Sequence, residues 1–200
     1  TPTGDIDWTV NGAAPPNFVQ VTAGRDHACA INPSGVLQCW GQDAEDQATP
    51  PAGNFTSLSA GNNHNCGITT NGDAQCWGTN GDGQATAPAG SFVDVAAGFY
   101  HSCGVTTASD VVCWGNNDDG KATPPADTFQ TVTAGRYHSC GLSTAGTVAC
   151  WGPSTGTYDY GQVSATPSGS FTSVDAGTNH NCGITTTNTI ECWGEDTNGK

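Results

Sequence analysis

A short pattern of histidine and cysteine recurs along the chain and is the first candidate for chemistry. In "GNNHNCGITTNGDAQCWG" a histidine stands two residues before a cysteine, and a second cysteine follows ten residues later, directly before Trp-Gly. Such side chains bind metal, form catalytic pairs or, once oxidised, cross-link the backbone. The stretch occurs five times, with its histidine at His27, His64, His101, His138 and His180. A feature present in every repeat favours a structural role over a catalytic one.

All ten cysteines belong to these repeats, as five evenly spaced pairs. A zinc site usually needs about four ligands, and its cysteines are usually only about two to four residues apart. We therefore expect five disulfides and an oxidising, extracellular environment, with a metal site as the alternative. The expected pairs are Cys29 with Cys39, Cys66 with Cys76, Cys103 with Cys113, Cys140 with Cys150, and Cys182 with Cys192.

The spacing within each pair fits a β-hairpin. If Cys29 faces Cys39, the hairpin loop has three residues and ends at Gly35. Such a loop requires a left-handed residue at its last position. The repeats place there Gly35, Gly72, Ser109, Gly146 and Asn188, four of which are glycine or asparagine. The cysteines are therefore predicted to be directly cross-strand, at a non-hydrogen-bonded position.

Strand alternation predicts two faces on each hairpin that both need cover. The cysteine face also carries aliphatic residues, Ile31 and Leu37 in the first repeat and Ile184 and Ile190 in the last. The opposite face carries a structural tryptophan, namely Trp40, Trp77, Trp114, Trp151 or Trp193. Each histidine is expected to hydrogen-bond backbone of a neighbouring strand or blade. A ring of histidines binding metal in a central channel is the alternative.

A third strand precedes each hairpin, as in "FTSLSAG" and "FVDVAAG". Short strands at even spacing, without helical periodicity, predict an all-β fold, either a β-propeller or a β-solenoid. We expect one domain over residues 1–200, with repeats at 18–54, 55–91, 92–128, 129–170 and 171–200. Residues 1–17 are predicted to form an N-terminal strand that completes the last blade if the ring is closed.

Charge and composition limit the function classes. The formal net charge is −14, with four basic and 18 acidic residues, which argues against nucleic acid and anionic lipid as partners. An acidic surface suits solubility, cation binding or a basic partner. No apolar run approaches the roughly 20 residues of a membrane helix. The absence of methionine and of a signal-like start indicates a mature or trimmed product.

Three further features are candidate sites. Acidic loops follow Trp-Gly, as in "QDAEDQ" and "NNDDGK"; calcium is an alternative there, although turn formation explains them, and we expect no cofactor. Asn54, in "NFT", is the acceptor of a glycosylation sequon. The spacing between the last two histidines is five residues longer than the others, and the insert contains Tyr158, Asp159 and Tyr160. These three residues are the best candidates for a binding surface, with an ordinary loop insertion as the alternative.

The repeats resemble those of the regulator of chromosome condensation family. The matching elements are Ala-Gly-x-x-His, as at 97–101, and Trp-Gly-x-Asn-x-x-Gly-Gln/Lys, as at 114–121. The closer likeness is to its short bacterial secreted branch, which includes the type II β-lactamase inhibitory protein. The resemblance implies a ring of blades, commonly seven. Five copies leave three alternatives: a small closed ring, a fragment of a longer protein, or an open arc completed by another subunit.

No unrepeated acid–base pair is recognisable, so we predict no enzymatic activity and no catalytic residues. The sequence predicts an extracellular module that binds a protein or a glycan through loops at the blade edges. The alternative is a structural subunit that assembles with copies of itself into an extracellular fibre or surface array.

Overall fold

The computed structural model of the chain describes residues 17–197, which form five three-stranded antiparallel sheets. Each repeat contributes one sheet whose strands pair in chain order, which confirms the predicted all-β fold. The predicted strand at the N-terminus lies outside the described residues. The sheets consist of β1 Gln20–Ala23, β2 His27–Ile31 and β3 Leu37–Gly41; β4 Phe55–Ala60, β5 His64–Thr69 and β6 Ala74–Gly78; β7 Phe92–Ala97, β8 His101–Thr106 and β9 Val111–Gly115; β10 Phe129–Ala134, β11 Ser139–Ser143 and β12 Val148–Trp151; β13 Phe171–Ala176, β14 His180–Thr185 and β15 Ile190–Gly194.

The second and third strands of every sheet form the predicted hairpin. In the first, Ile31 pairs with Leu37 and the Asn32 amide donates to the Val36 carbonyl, which leaves a three-residue loop. The residue that ends each loop is left-handed in all five repeats, with φ between 61° and 88°. Glycine adopts this conformation without strain, and asparagine is the next most tolerant residue. Ser109 occupies it at φ 69° without either advantage.

Each of the five disulfides links the two strands of its own hairpin. Each cysteine is directly opposite its partner, and the Cα atoms are 4.0–4.1 Å apart. This separation is closer to the ~4.5 Å of a non-hydrogen-bonded antiparallel pair than to the ~5.5 Å of a hydrogen-bonded one. The register therefore satisfies the geometry of the disulfide, as the spacing predicts. No cysteine is free among the residues described.

Successive sheets pack with the cysteine face of one against the tryptophan face of the next. Cys66 and Ile68 of the second sheet contact Phe92, Val95 and Trp114 of the third. The ring centroids of Phe92 and Trp114 are 6.1 Å apart with an interplanar angle of 61°, an edge-on contact. The same arrangement recurs between the first and second sheets and between the third and fourth. One sheet alone would leave both faces in water, so each depends on its neighbours for burial.

The two outermost faces of the described residues expose apolar side chains. Ile190 is 75% exposed and Ile184 is 43% exposed on the cysteine face of the fifth sheet. At the other end, Trp40 of the first sheet is 41% exposed, whereas Trp77 is buried. The expectation that Ile184 and Ile190 are buried is therefore wrong, because no described sheet packs against that face.

The ends of the first strands of all five sheets, with the turns that follow them, line a shared cavity of about 390 Å³. Its wall is made largely of the repeated Ala-Gly pairs, as at Ala97 and Gly98. A Cβ atom on Gly98 would lie 2.6 Å from the Gly135 carbonyl oxygen of the next sheet and 2.8 Å from Cε1 of His101. Glycine is thus required where the backbones of neighbouring sheets converge. Over residues 17–197 no helix is long and apolar enough to cross a membrane.

The repeated histidines join each sheet to the next through a side chain, not through backbone as expected. His101 Nε2 lies 2.7 Å from Ser139 Oγ, and that hydroxyl donates to the Lys121 carbonyl at 3.0 Å. The expectation failed because the residue that follows the histidine of the next repeat is polar, and its side chain reaches the imidazole from the adjacent sheet. Equivalent bonds join His27 to Asn65, His64 to Ser102 and His138 to Asn181.

These bonds determine the protonation of the buried imidazoles. The Ser139 hydroxyl donates its hydrogen to the Lys121 carbonyl, so it can only accept from His101. His101 Nε2 therefore carries the hydrogen, and Nδ1 of the neutral ring is unprotonated. Nδ1 is buried without a hydrogen-bond partner in His27, His64, His101, His138 and His180. Burial lowers the pKa of His64 to about 4, of His101 to about 3 and of His138 to about 4. Neighbouring charges contribute less, and at neutral pH these three rings are uncharged.

Removal of an internal disulfide should destabilise the protein strongly. Cys103→Ala with Cys113→Ala removes a cross-link around a ten-residue separation, which is worth about 3 kcal/mol, and leaves a cavity between sheets. Urea unfolding of the native and variant proteins measures the loss. The matched control is Cys182→Ala with Cys192→Ala, which has the same separation but a partly exposed site. Equal losses at the two sites would contradict the proposed contribution of sheet packing.

Mild acid should destabilise the fold through the buried histidines. Their folded pKa lies below the unfolded value of about 6.5, so the unfolded chain binds more protons and stability falls between pH 6.5 and pH 4. At pH 5 each of the three histidines lowers the free energy of unfolding by about 2 kcal/mol. Urea midpoints at pH 7, 6 and 5 measure this, and His101→Gln should reduce the pH-dependent loss by about a third. An unchanged midpoint between pH 7 and pH 5 would refute the mechanism.

Candidate binding site

The loops that follow Trp-Gly lie beside the turns that precede the histidines. The amide of Thr79 donates to the Asn63 carbonyl at 2.9 Å, and that of Asn116 donates to the Tyr100 carbonyl at 2.9 Å. The fourth repeat has Pro153 at the corresponding position, and proline has no amide hydrogen to donate. The longer loop of that repeat begins there, which brings the predicted insert beside Tyr137.

Tyr137 and Tyr158 stack on each other at this point. Their ring centroids are 4.4 Å apart and their planes differ by 22°. Tyr158 remains 41% exposed although it stacks. The stack fixes one exposed aromatic ring of the insert against the rigid end of the fourth sheet. Desolvation is the largest cause of a raised Tyr137 pKa, and the neighbouring Arg136 opposes it.

Aromatic residues from two repeats extend this stack into a cluster. The guanidinium carbon of Arg136 lies 4.9 Å from the ring centroid of Tyr137 and 5.2 Å from that of Phe99. Phe99 is in turn edge-on to Tyr100, with centroids 5.9 Å apart. We call Phe99, Tyr100, Tyr137 and Tyr158 the aromatic cluster.

A groove of about 240 Å³ lies between three of these rings and the acidic loops of the second and third repeats. Asn116 joins the two loops, because its side-chain amide donates to Asp118 at 3.0 Å and to Asp82 at 3.3 Å. We call this space the acidic groove. Its lining residues are Asp82, Tyr100, Asn116, Asp118, Asp119, Lys121, Tyr137 and Tyr158.

Among the residues that the structure describes, Lys121 is the only basic one that lines the acidic groove. It occupies the position of Gln84, whose side-chain oxygen accepts the Asp82 amide at 2.9 Å. Lys121 Nζ instead donates to the Asp118 carbonyl at 2.8 Å, and the residue is buried. Burial lowers the pKa of Lys121, whereas Asp118, Asp119 and Asp82 act against that shift. The Lys121 ammonium is thus bonded to a backbone carbonyl, and the carboxylates of Asp82, Asp118 and Asp119 lie near it without a direct bond to it.

The structure separates the three residues predicted for the insert. Tyr158 lines the acidic groove. Asp159 holds the loop, because its carboxylate accepts the Gly161 amide at 2.9 Å and the Ser164 hydroxyl at 3.0 Å. Tyr160 is 39% exposed but does not line the groove.

Sequence reasoning missed the partners that Tyr158 meets. In the first, second and fifth repeats the two residues between Ala-Gly and histidine are polar or charged, whereas the third and fourth carry "FY" and "RY". These departures from the repeat were visible, as the insert was, and they supply Phe99, Tyr100, Arg136 and Tyr137.

The acidic loops form turns through their own side chains. The Asp43 carboxylate accepts the Ala48 amide and the Thr49 hydroxyl, both at 2.7 Å. Asn80 and Asn117 bond the corresponding residues of their loops. Within residues 17–197, no group of three or more histidine, cysteine or acidic side chains is arranged to hold a metal ion. Calcium stays the alternative to the expectation of no cofactor. Glycosylation of Asn54, which is exposed, stays a prediction.

Comparison with solved structures finds the same fold within longer proteins. The ectodomain of the receptor kinase CR4 from Physcomitrella patens is 26% identical with a TM-score of 0.76, over 93% of this chain and 52% of that one. The CRINKLY WD40 ectodomain of the Arabidopsis thaliana receptor kinase ACR4 is 28% identical with a TM-score of 0.76, over 91% and 66%. Yeast RCC1 (Prp20) shares the fold, with 18% identity and a TM-score of 0.73 over 88% and 56%.

The chain therefore spans 52% to 66% of the length of these three proteins. A search of curated proteins gave no match. The family model of the regulator of chromosome condensation (RCC1) repeat matches five segments, 18–47, 55–84, 92–121, 129–162 and 171–200. The chain belongs to the RCC1 repeat family.

Proposed function

We propose that the chain is an extracellular, non-catalytic module that binds another protein through the aromatic cluster and the acidic groove. The observation that carries the proposal is the stacked Tyr137–Tyr158 pair, which keeps an exposed ring fixed at the groove. Tyrosine is enriched among the residues that dominate binding energy at protein interfaces. A ring that is already held loses little conformational entropy when a partner covers it.

Several observations support this reading. Five disulfides suit an oxidising compartment, and two similar structures are ectodomains of receptor kinases. Yeast Prp20 has been crystallised with Kap60, and its binding to Gsp1p and histones has been described. We further propose that the chain is from the bacterial secreted branch of the family, on the basis of its repeated cystines. A glycan is the alternative ligand, because a sugar ring can also lie on an exposed tyrosine.

The test is selection of displayed peptides and small domains on the native protein, followed by measurement of each binder against variants. Tyr158→Ala should weaken binding at least ~10-fold, since truncation of a hot-spot residue costs about 2 kcal/mol or more and about 1.4 kcal/mol corresponds to tenfold. Tyr160→Ala is the matched control, because Tyr160 is in the same loop and equally exposed but lies outside the groove.

Binders that lose affinity equally with both variants, or no binders at all, would refute the proposal. A glycan array probed with the labelled native protein and with Tyr158→Ala forms the second arm. Strong signals that depend on Tyr158 in this array, without any protein binder, would assign the site to a sugar.

Self-assembly is a second candidate function, favoured by the exposed faces of the first and fifth sheets. The exposed cysteine face of the fifth sheet, with Ile184 and Ile190, has the same composition as the cysteine faces that pack against a tryptophan face elsewhere. Trp40 lies on the exposed tryptophan face of the first sheet. Copies joined head to tail would form a ring or a filament.

Sedimentation velocity over a range of concentrations tests this assembly. Ile190→Lys should shift the distribution to monomer, because it places a charge in the joined face. Val93→Lys, at a position 57% exposed in β7, should not. A monomer at every concentration of the native protein would exclude this function.

A further inference from the structure

We propose that the acidic groove binds a cationic side chain, lysine or arginine, from a basic segment of the partner. This inference rests on the proposed function and names the chemical class of the partner. It follows from the charge of the groove, the aromatic residues that border it, and its size.

The charges that line the groove favour a cation. Asp82, Asp118 and Asp119 are exposed carboxylates, and they face one ammonium, that of Lys121. Lys121 Nζ is bonded to the backbone carbonyl of Asp118, so no carboxylate is consumed in a direct ion pair with it. The groove therefore keeps an excess of two negative charges. The chain as a whole carries −14, which attracts a basic partner from a distance.

The loops of two repeats hold these carboxylates close to one another. The Asn116 amide donates to both Asp82 and Asp118, and thereby links the acidic loop of the second repeat to that of the third. Like charges held near each other repel, and a cation placed between them relieves the repulsion. A bound cationic group would thus gain more than from one exposed carboxylate alone.

The aromatic cluster already binds one guanidinium within the chain. Arg136 lies over both Phe99 and Tyr137 at centroid distances of about 5 Å, within the range of a cation–π contact. Tyr100, Tyr137 and Tyr158 all border the groove, and Tyr137 is already in contact with Arg136 and Tyr158. A cation from a partner would find the same combination of ring and carboxylate.

The volume of the groove indicates what part of a partner enters it. At about 240 Å³ it is smaller than the roughly 300 Å³ at which pockets for drug-sized ligands begin. One long side chain fits this space, while the neighbouring residues of the partner lie over Tyr158. An extended basic segment presents such a side chain without a folded surface of its own.

The experiment uses three labelled peptides that share a Gly-Ser background and differ only in carrying arginine, lysine or glutamine. Fluorescence anisotropy measures their binding to the native protein at low salt. The arginine and lysine peptides should bind and the glutamine peptide should not. Asp82→Asn with Asp119→Asn removes two contacts and should weaken binding at least ~5-fold. Tyr158→Ala removes one cation–π contact and should weaken binding ~2- to 5-fold.

The matched control for net charge is Asp73→Asn with Glu191→Gln, two exposed acids that do not line the groove. This pair reduces the net negative charge by the same amount as the test pair and should leave the affinity for the arginine and lysine peptides within ~2-fold of the native value. Asparagine tolerates the left-handed backbone of Asp119, which has φ 62°, so the test pair should fold, and thermal unfolding verifies this.

Equal weakening by the test and control pairs would overturn the inference, because binding would then follow net charge alone. Binding of the glutamine peptide that depends on Tyr158 would also overturn it, yet would leave the proposed protein-binding function standing. Binding that none of the groove variants changes, combined with failure of the selection experiment, would overturn both.

Discussion

The contact between the cysteine face of one sheet and the tryptophan face of the next is the interaction on which the molecule depends. A three-stranded sheet of about 15 residues has too little surface to form a core of its own. The disulfide keeps each hairpin in a single register, and the next sheet covers it. At the same junction a histidine bonds an asparagine or serine that in turn bonds a loop carbonyl. Apolar burial and a satisfied polar relay therefore stabilise one and the same interface.

Repetition of this junction explains why most of the chain has no specific chemistry. Residues needed at every interface are constrained in every repeat, so they are not free to distinguish one ligand from another. The positions that vary lie at the ends of the sheets, in the turns before the histidines and the loops after Trp-Gly. The aromatic cluster and the acidic groove are made entirely from such positions in the second, third and fourth repeats. A rigid, repetitive scaffold thus carries one irregular region, the arrangement expected of a binding protein.

The local structure was largely predictable from the sequence, for reasons of short-range geometry. The cysteine spacing and the left-handed residue at Gly35 both required a three-residue loop, so register, disulfide and face assignment followed together. Predictions failed where the answer lay one repeat away. The bond from His27 to Asn65 spans 38 residues. Its partner depends on how sheets stack, which no single repeat encodes, although a comparison of the repeats in register shows a polar or small residue at every such position.

The sequence by itself determined the disulfides, the hairpins, the two buried faces and the insert with Tyr158, since each depends on residues a few positions apart. Only the tertiary structure decided which surface the insert joins. Tyr137 and Asp82 are far from each other in the chain, and they line one groove because the second, third and fourth sheets converge at a shared cavity. Ile190 is exposed because no described sheet packs against its face, so burial there depends on a neighbouring sheet and not on the residue itself.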